Sequence, residues 1–228
     1  MGVRRLDGRL CVQAFTKVGL GFLLVAALLF VPAGTLAYAK GWLLIGILFV
    51  PMLIAGTAML FRCPALLKKR LNAKEREMQQ RRVVALSAAM FAAAFVLSGF
   101  NYRFKWLTMP DWTAAVAVLI FLLGYLMYAE VIRENAFLSR TIEIQDGQRV
   151  VDTGLYGVVR HPMYAATLVM FLSMPLVLGS PVSFAVMLIY IPIIVARIRN
   201  EEKVLENGLP GYTAYKARVK YRIIPRVW

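Results

Sequence analysis

The chain has 228 residues, 60% of them hydrophobic, with a mean hydropathy of +0.66 and a formal net charge of +15. Such a composition excludes a water-soluble domain and leaves little chain for one beside a membrane domain. The basic charge first suggests nucleic acid, but it lies along the edges of apolar runs and builds no separate basic module, so that class is set aside.

Apolar spans are predicted at 14–33, 42–61, 83–100, 112–132, 163–179 and 182–197. Roughly 20 helical residues cross a hydrocarbon layer about 30 Å thick. Only helices and closed barrels satisfy the backbone in lipid, and the runs lack the two-residue alternation of a barrel. The expected fold is therefore all-α and integral to the membrane, with about six transmembrane helices. With the amino terminus inside, the inward segments hold 4, 8, 4 and 8 of the 27 Lys and Arg residues, and the outward ones only Lys40, Arg103 and Lys105. The positive-inside rule then puts both termini in the cytoplasm, and the charge reads as contact with anionic headgroups.

Taken in order, the first two spans form a hairpin across 34–41. Arg4, Arg5 and Arg9 followed by an apolar run ending in Ala37-Tyr38-Ala39 mimic a secretion signal, but the next span begins almost at once, so an uncleaved first helix is expected. Cys11 and Cys63 fall on the cytoplasmic side and read as free thiols rather than a disulfide or palmitoylation sites. Too few cysteines and histidines exist for an ordinary zinc site, and no metal is expected. Residues 64–82 are dense in charge and read as a surface helix or a solvated loop. The chain divides into N-terminal membrane helices (1–129) and a region richer in polar chemistry (130–228).

Within that second region the Asp146-Gly147 turn, flanked by alternating residues, predicts a short hairpin over 141–151. Spans five and six are joined by Gly179-Ser180-Pro181, a turn short enough to enforce a helical hairpin. The last 31 residues are basic and amphipathic, and with the loop at 136–160 they are expected to close over a pocket.

Two polar clusters flank the last hairpin. Pro162 suits the first turn of a helix, which puts His161, the chain's single histidine, at the cap of span five. Unpaired N–H groups there, with Arg160, make a seat for a carboxylate or phosphate. Arg197, Arg199, Glu201 and Glu202 lie at the inner end of span six, where charge is costly unless paired or functional. Arg197 and Glu201 are four apart and Arg199 and Glu202 three apart, so each pair is expected to share a face. The tight turn returns both clusters to one membrane depth, so Arg160, His161, Glu201 and Glu202 are expected to be neighbours. No glycine-rich dinucleotide fingerprint, phosphate loop or Ser-His-Asp set is present. Anion-binding groups, carboxylates and tyrosines beside lipid suit a zwitterionic cofactor, as one option among several.

The run Thr153-Gly154-x-Tyr156-x-x-x-Arg160-His161-Pro162-x-Tyr164, then Glu201-Glu202-x-x-Leu205, then Gly211-Tyr212-x-x-Tyr215-x-x-Arg218-Val219 and Pro225 resembles the isoprenylcysteine carboxyl methyltransferase family and its phospholipid N-methyltransferase relatives. The resemblance covers roughly 130–228; Leu155 stands where that family usually has proline. It implies a membrane methyltransferase using S-adenosylmethionine on a lipophilic acceptor that enters from the bilayer. It further implies a cofactor site drawn from Gly154, Tyr156, Arg160, His161, Pro162, Tyr164 and Glu201, with Arg197 and Glu202 at the reacting end. A membrane reductase of the sterol-reductase type using NADPH, and a non-catalytic membrane scaffold, remain open.

Overall fold

The structure is a computed structural model that describes residues 8–71, 78–139 and 144–228. Among them it is all helical. Helices α1 (Gly8–Ala33), α2 (Ala39–Arg62), α4 (Met78–Phe104) and α5 (Asp111–Glu134) are long and apolar enough to cross a membrane. So is the segment Pro181–Gly208, which comprises α7 (Pro181–Met187) and α8 (Tyr190–Gly208). Short α3 (Pro64–Leu71) follows α2, and α9 (Tyr212–Arg218) closes the chain after α8.

Three expectations need adjustment. Helix α6 (Pro162–Val177) has 16 residues, about 24 Å at 1.5 Å per residue. That is shorter than a hydrocarbon layer of roughly 30 Å, so among the described residues five helices are long enough to span and the sixth apolar helix is short. The last span is also broken. Pro192 has no N–H to give the Leu188 carbonyl, which instead accepts from Ile191 N at 3.1 Å, and the helix divides at Leu188 and Ile189. The hairpin predicted over 141–151 shows a turn, with Gln148 N donating to Gln145 O at 3.0 Å, and no strand in its described part; residues 140–143 lie outside the described residues. Of the charged 64–82 segment, 64–71 is helical, 72–77 lies outside the described residues, and α4 begins at Met78.

Packing follows side-chain size. Helix α5 lies closely along α6, α1 against α4, and α4 against α7 and α8. Gly124 permits the first of these crossings, because a Cβ there would stand 2.4 Å from Met170 Cγ and 3.2 Å from the Ala166 carbonyl. Small residues let helices approach in lipid, where packing rather than water exclusion drives association. One buried cluster, containing Leu29, Tyr38, Phe121 and Val177, joins α1, α2, α5 and α6. A second, containing Met90, Tyr190, Ile198 and Ile223, joins α4, α6, α8 and the C-terminal segment.

The up-and-down order puts the start of α6 and the end of α8 at the same end of the bundle. At the opposite end the turn between α6 and α7 is fastened by neutral groups. Ser98 Oγ donates to Ser183 Oγ at 2.8 Å, Ser183 and Ser180 hydroxyls meet at 2.9 Å, and Tyr38 OH donates to Leu178 O at 2.8 Å.

Candidate functional site

The chain approaches α6 through a 3-10 turn at Gly154–Gly157. Gly154 has φ +55°, and a Cβ there would also stand 3.0 Å from Glu134 Cγ, so glycine answers both the backbone and the space. Buried Tyr156 is held twice: Asn135 Nδ2 donates to its hydroxyl at 2.9 Å, and the Tyr215 hydroxyl donates to its carbonyl at 2.8 Å. His161 is the N-cap residue of α6 and Pro162 its first residue. The imidazole makes no capping bond and is turned toward α8.

There, a buried clasp ties three segments together. Glu202, 3% exposed, accepts at Oε1 from Arg160 Nε at 2.9 Å and lies 2.7 Å from Arg160 Nη2. His161 Nε2 is 3.3 Å from the same oxygen, and Arg222 Nε donates to Oε2 at 3.0 Å. Arg160 Nη1 donates to the carbonyls of Val219 and Lys220 at 2.7 and 2.8 Å. Backbone bonds from Arg160 N to Tyr221 O (2.9 Å) and His161 N to Arg222 O (2.8 Å) sew the C-terminal segment to the α6 entrance. Buried charges demand such pairing, since a lone one costs several kcal/mol, on the order of 3–5 when one partner is removed.

Beside the clasp opens a cleft with an empty volume of about 840 Å³, continuous with solvent. Its inner wall carries a charged chain: Arg197 Nε donates to Tyr164 OH at 2.9 Å, and Tyr164 OH donates to Glu201 Oε2 at 2.5 Å. His161 Nδ1 is 4.0 Å from Glu201 Oε1. With Nε2–H given to Glu202, Nδ1 is the imidazole atom left toward Glu201. The opposite wall comes from the loop after α5, including Phe137 and Arg149, and from α9 with Tyr212 and Tyr215.

Tyr212 stands apart. It is 4% exposed, and its hydroxyl is buried with no hydrogen-bond partner among the described residues. Burial first, then the carboxylates of Glu202 and Glu201, push this phenol well above its usual value, so it stays a neutral donor. A buried hydroxyl without a partner costs about 1–3 kcal/mol. A cleft wall offering guanidinium, imidazole, carboxylate and an unanswered O–H fits a polar ligand bearing both signs of charge.

Of the residues singled out in the sequence, Tyr156, His161, Tyr164, Arg197 and Glu201 line this cleft together. Gly154, Arg160, Pro162 and Glu202 do not. Gly154 shapes the turn and Pro162 starts the helix. Arg160 offers no open anion seat, because Glu202 and two carbonyls occupy its guanidinium. Glu202 has both oxygens engaged, and its partners are Arg160, His161 and Arg222 rather than exposed Arg199. Arg197 and Glu201 are linked through the Tyr164 hydroxyl. Sequence reasoning gave no site role to Phe137, Arg149 or Met163, and although it quoted Tyr212-x-x-Tyr215 in a segment expected to close the pocket, it did not name these α9 tyrosines as wall residues; their spacing, one helical turn, was the available signal.

Comparison with known proteins bears on the same segment. Residues 112–209 match the family model described as phospholipid methyltransferase, a family of membrane methyltransferases. The match takes in α5 through α8 and the whole charged chain of the inner wall, and it stops before α9. The chain is also 34% identical over 91 residues to a Delta(14)-sterol reductase of Mus musculus, a stretch covering 39% of this chain and 22% of that protein. The matched stretch is thus about a fifth of that relative's length.

Proposed function

We propose that this chain is an integral membrane methyltransferase that draws its methyl group from S-adenosylmethionine and acts on a lipophilic acceptor. The observation that carries the reading is the Arg197–Tyr164–Glu201 chain with His161 on one wall of a solvent-connected cleft, inside the segment that matches the phospholipid methyltransferase model. The basic bias of the segments at that end supports a cytoplasmic cleft and cytoplasmic termini.

When bound, the cofactor supplies an electrophilic methyl group on a sulfonium, chemistry that needs no redox partner. Glu201 answers a cationic group, while His161 and the Tyr156 wall bound the space around a nucleoside. Arg197, steadied by Tyr164, orients an anionic headgroup arriving from the membrane side. Glu202 acts as a positioning residue: it holds His161 and Arg160, and through Arg222 it keeps the C-terminal wall in place. The loop after α5 and the C-terminal segment exclude water. Holding two reactants in line is worth on the order of 7–11 kcal/mol of a barrier. A carboxylate acceptor would need orientation by Arg197; an amine would need a proton acceptor, for which Glu201 is the carboxylate presented to the cleft.

The sterol-reductase likeness supports a second reading, NADPH-dependent reduction in the same cleft. Calorimetry on the protein in lipid nanodiscs, with S-adenosylhomocysteine and separately with NADPH, decides between them. Binding of the first and not the second is expected. Binding of NADPH alone would replace methyl transfer with reduction, and binding of neither would leave a scaffold. Labelled-methyl transfer into a native lipid extract would then identify the acceptor.

A further inference from the structure

Beyond α9 the chain folds into a turn that exposes apolar side chains outside the long helices. Trp228 O accepts from the N–H groups of Arg222, Ile223 and Ile224 at 2.9, 3.0 and 3.2 Å, and Ile224 O accepts from Val227 N and Trp228 N at 3.1 Å. These bonds close residues 222–228 into a preformed turn with two sides. On the inner side Ile223 is buried in the cluster that contains Val83 and Ile198, and Trp228 packs against it. Arg222 links this side to the clasp, its guanidinium carbon 5.1 Å from the Trp228 ring centre while its Nε donates to Glu202. The outer side presents Ile224, 52% exposed, and Val227, 75% exposed, with exposed Arg226 between them.

Two markers give the depth of this turn. Val83, which shares the buried cluster of Ile223, lies in the first turn of the span Arg81–Phe104, and its neighbours Val84 and Leu86 are exposed to the surroundings of that span. Backbone bonds from Arg160 and His161 tie Tyr221 and Arg222 to the start of apolar α6. The turn therefore lies where α4 and α6 enter the apolar layer, next to a surface that lipid already covers. Lys220 and Arg226 on this segment, and Arg81 and Arg82 at the start of α4, are exposed and basic. A second copy docked here about a twofold axis would bring like charges together. Anionic headgroups answer them instead, and apolar tips among basic residues suit a segment lying in a membrane interface.

We propose that the turn at 222–228 is an interfacial anchor that binds a lipid surface bearing anionic headgroups. Ile224 and Val227 enter the acyl boundary of the leaflet at the cleft end, and Arg226 and Lys220 meet its phosphates. Lipid then holds the C-terminal wall of the cleft from outside, as Glu202 holds it from inside through Arg222. This contact does not depend on which reaction the cleft performs, and the turn lies beyond the segment that matches the family model.

The test uses the full chain in nanodiscs of phosphatidylcholine mixed with phosphatidylglycerol. Cys11 and Cys63 are replaced by serine, and a nitroxide spin label is attached at Ile224→Cys, at Val227→Cys or at Asp146→Cys. Asp146 is the reference, exposed at the tip of the turn Gln145–Gln148. Power saturation compares collision with oxygen, which concentrates in hydrocarbon, and with a neutral nickel chelate, which stays in water. The ratio of oxygen to nickel accessibility at 224 and 227 should exceed that at 146 by about fivefold or more, as for side chains roughly 5–10 Å below the headgroup boundary. In nanodiscs of phosphatidylcholine alone that ratio should fall about twofold or more, since each basic residue near an anionic surface contributes. Both replaced side chains are exposed, so neither label empties a core, and the two positions are read in separate chains. Nickel accessibility at 224 and 227 equal to that at 146 overturns the anchor, because water covers the turn. Protection from both reagents overturns it as well, because protein then covers the turn, a second copy included. A ratio indifferent to phosphatidylglycerol overturns the headgroup contact given to Arg226 and Lys220.

Discussion

The last hairpin is fastened at both ends by buried polar groups, and the two fastenings differ in kind. At the turn, Ser98, Ser180, Ser183 and Tyr38 make a neutral network whose members satisfy one another and a backbone carbonyl. At the open end, Glu202 gathers Arg160, Arg222 and His161, and a second chain runs from Arg197 through Tyr164 to Glu201. Neutral hydroxyls are a cheap way to lock helices. Buried ions are not, and replacing such pairs with apolar residues is often neutral or stabilising. Their presence at one end only is what separates a fastening from a site.

The comparison breaks most visibly at the clasp. Arg160→Met should destabilise the protein by about 3–5 kcal/mol, because it leaves Glu202 short of its closest counter-charge; a loss under about 1 kcal/mol in thermal unfolding would show that the clasp is not structural. Next in size is Tyr164→Phe, which removes a hydrogen bond to each of two charged groups. At about 1.5–3 kcal/mol for such a bond, methyl transfer should fall roughly 10- to 100-fold, and turnover within threefold of wild type would take Tyr164 out of the site. Ser183→Ala is the matched change at the neutral end. It should cost about 1 kcal/mol or less in unfolding, typical of hydroxyl bonds between membrane helices, and leave S-adenosylhomocysteine affinity untouched; altered affinity would erase the distinction between the two ends.

The smallest effect is alkaline. Burial raises the phenols of Tyr212 and Tyr215 above their usual value in the folded chain, whereas an unfolded tyrosine ionises near pH 10. Above that pH the unfolded state binds fewer protons, so the contribution of these residues to stability is complete below about pH 10 and declines as pH rises. The double variant Tyr212→Phe with Tyr215→Phe should flatten that decline, and an unchanged slope would mean the two phenols are not buried as described.

Much of this architecture could be read directly from the residues. Apolar runs announced the long helices, Pro162 marked the start of α6 with His161 as its cap, and Gly179-Ser180-Pro181 brought 160–164 and 197–202 to one end. Pro192 also foretold the break at Leu188 and Ile189, but a smooth hydropathy run concealed it. Which charge meets which could not be read in the same way. The tight turn pointed to Arg160, His161, Glu201 and Glu202 as neighbours, and they are; but spacing along α8 offered Arg199 as the partner of Glu202, whereas its arginine partners lie 42 residues before it and 20 residues after it.

By itself, then, the sequence determined that this protein lives in a membrane, roughly where its long helices lie, and which end of the last hairpin carries charge, but not the break in the last span or its extension to Gly208. Those are local consequences of hydropathy, proline and glycine. Only the tertiary structure decided that Arg160 and Glu202 neutralise each other behind the cleft while Arg197, Tyr164 and Glu201 face into it, and that Tyr212 completes the far wall with no hydroxyl partner among the described residues. Side-chain assignment of that kind depends on how the C-terminal segment folds back over α6 and α8, a long-range contact that no periodicity encodes.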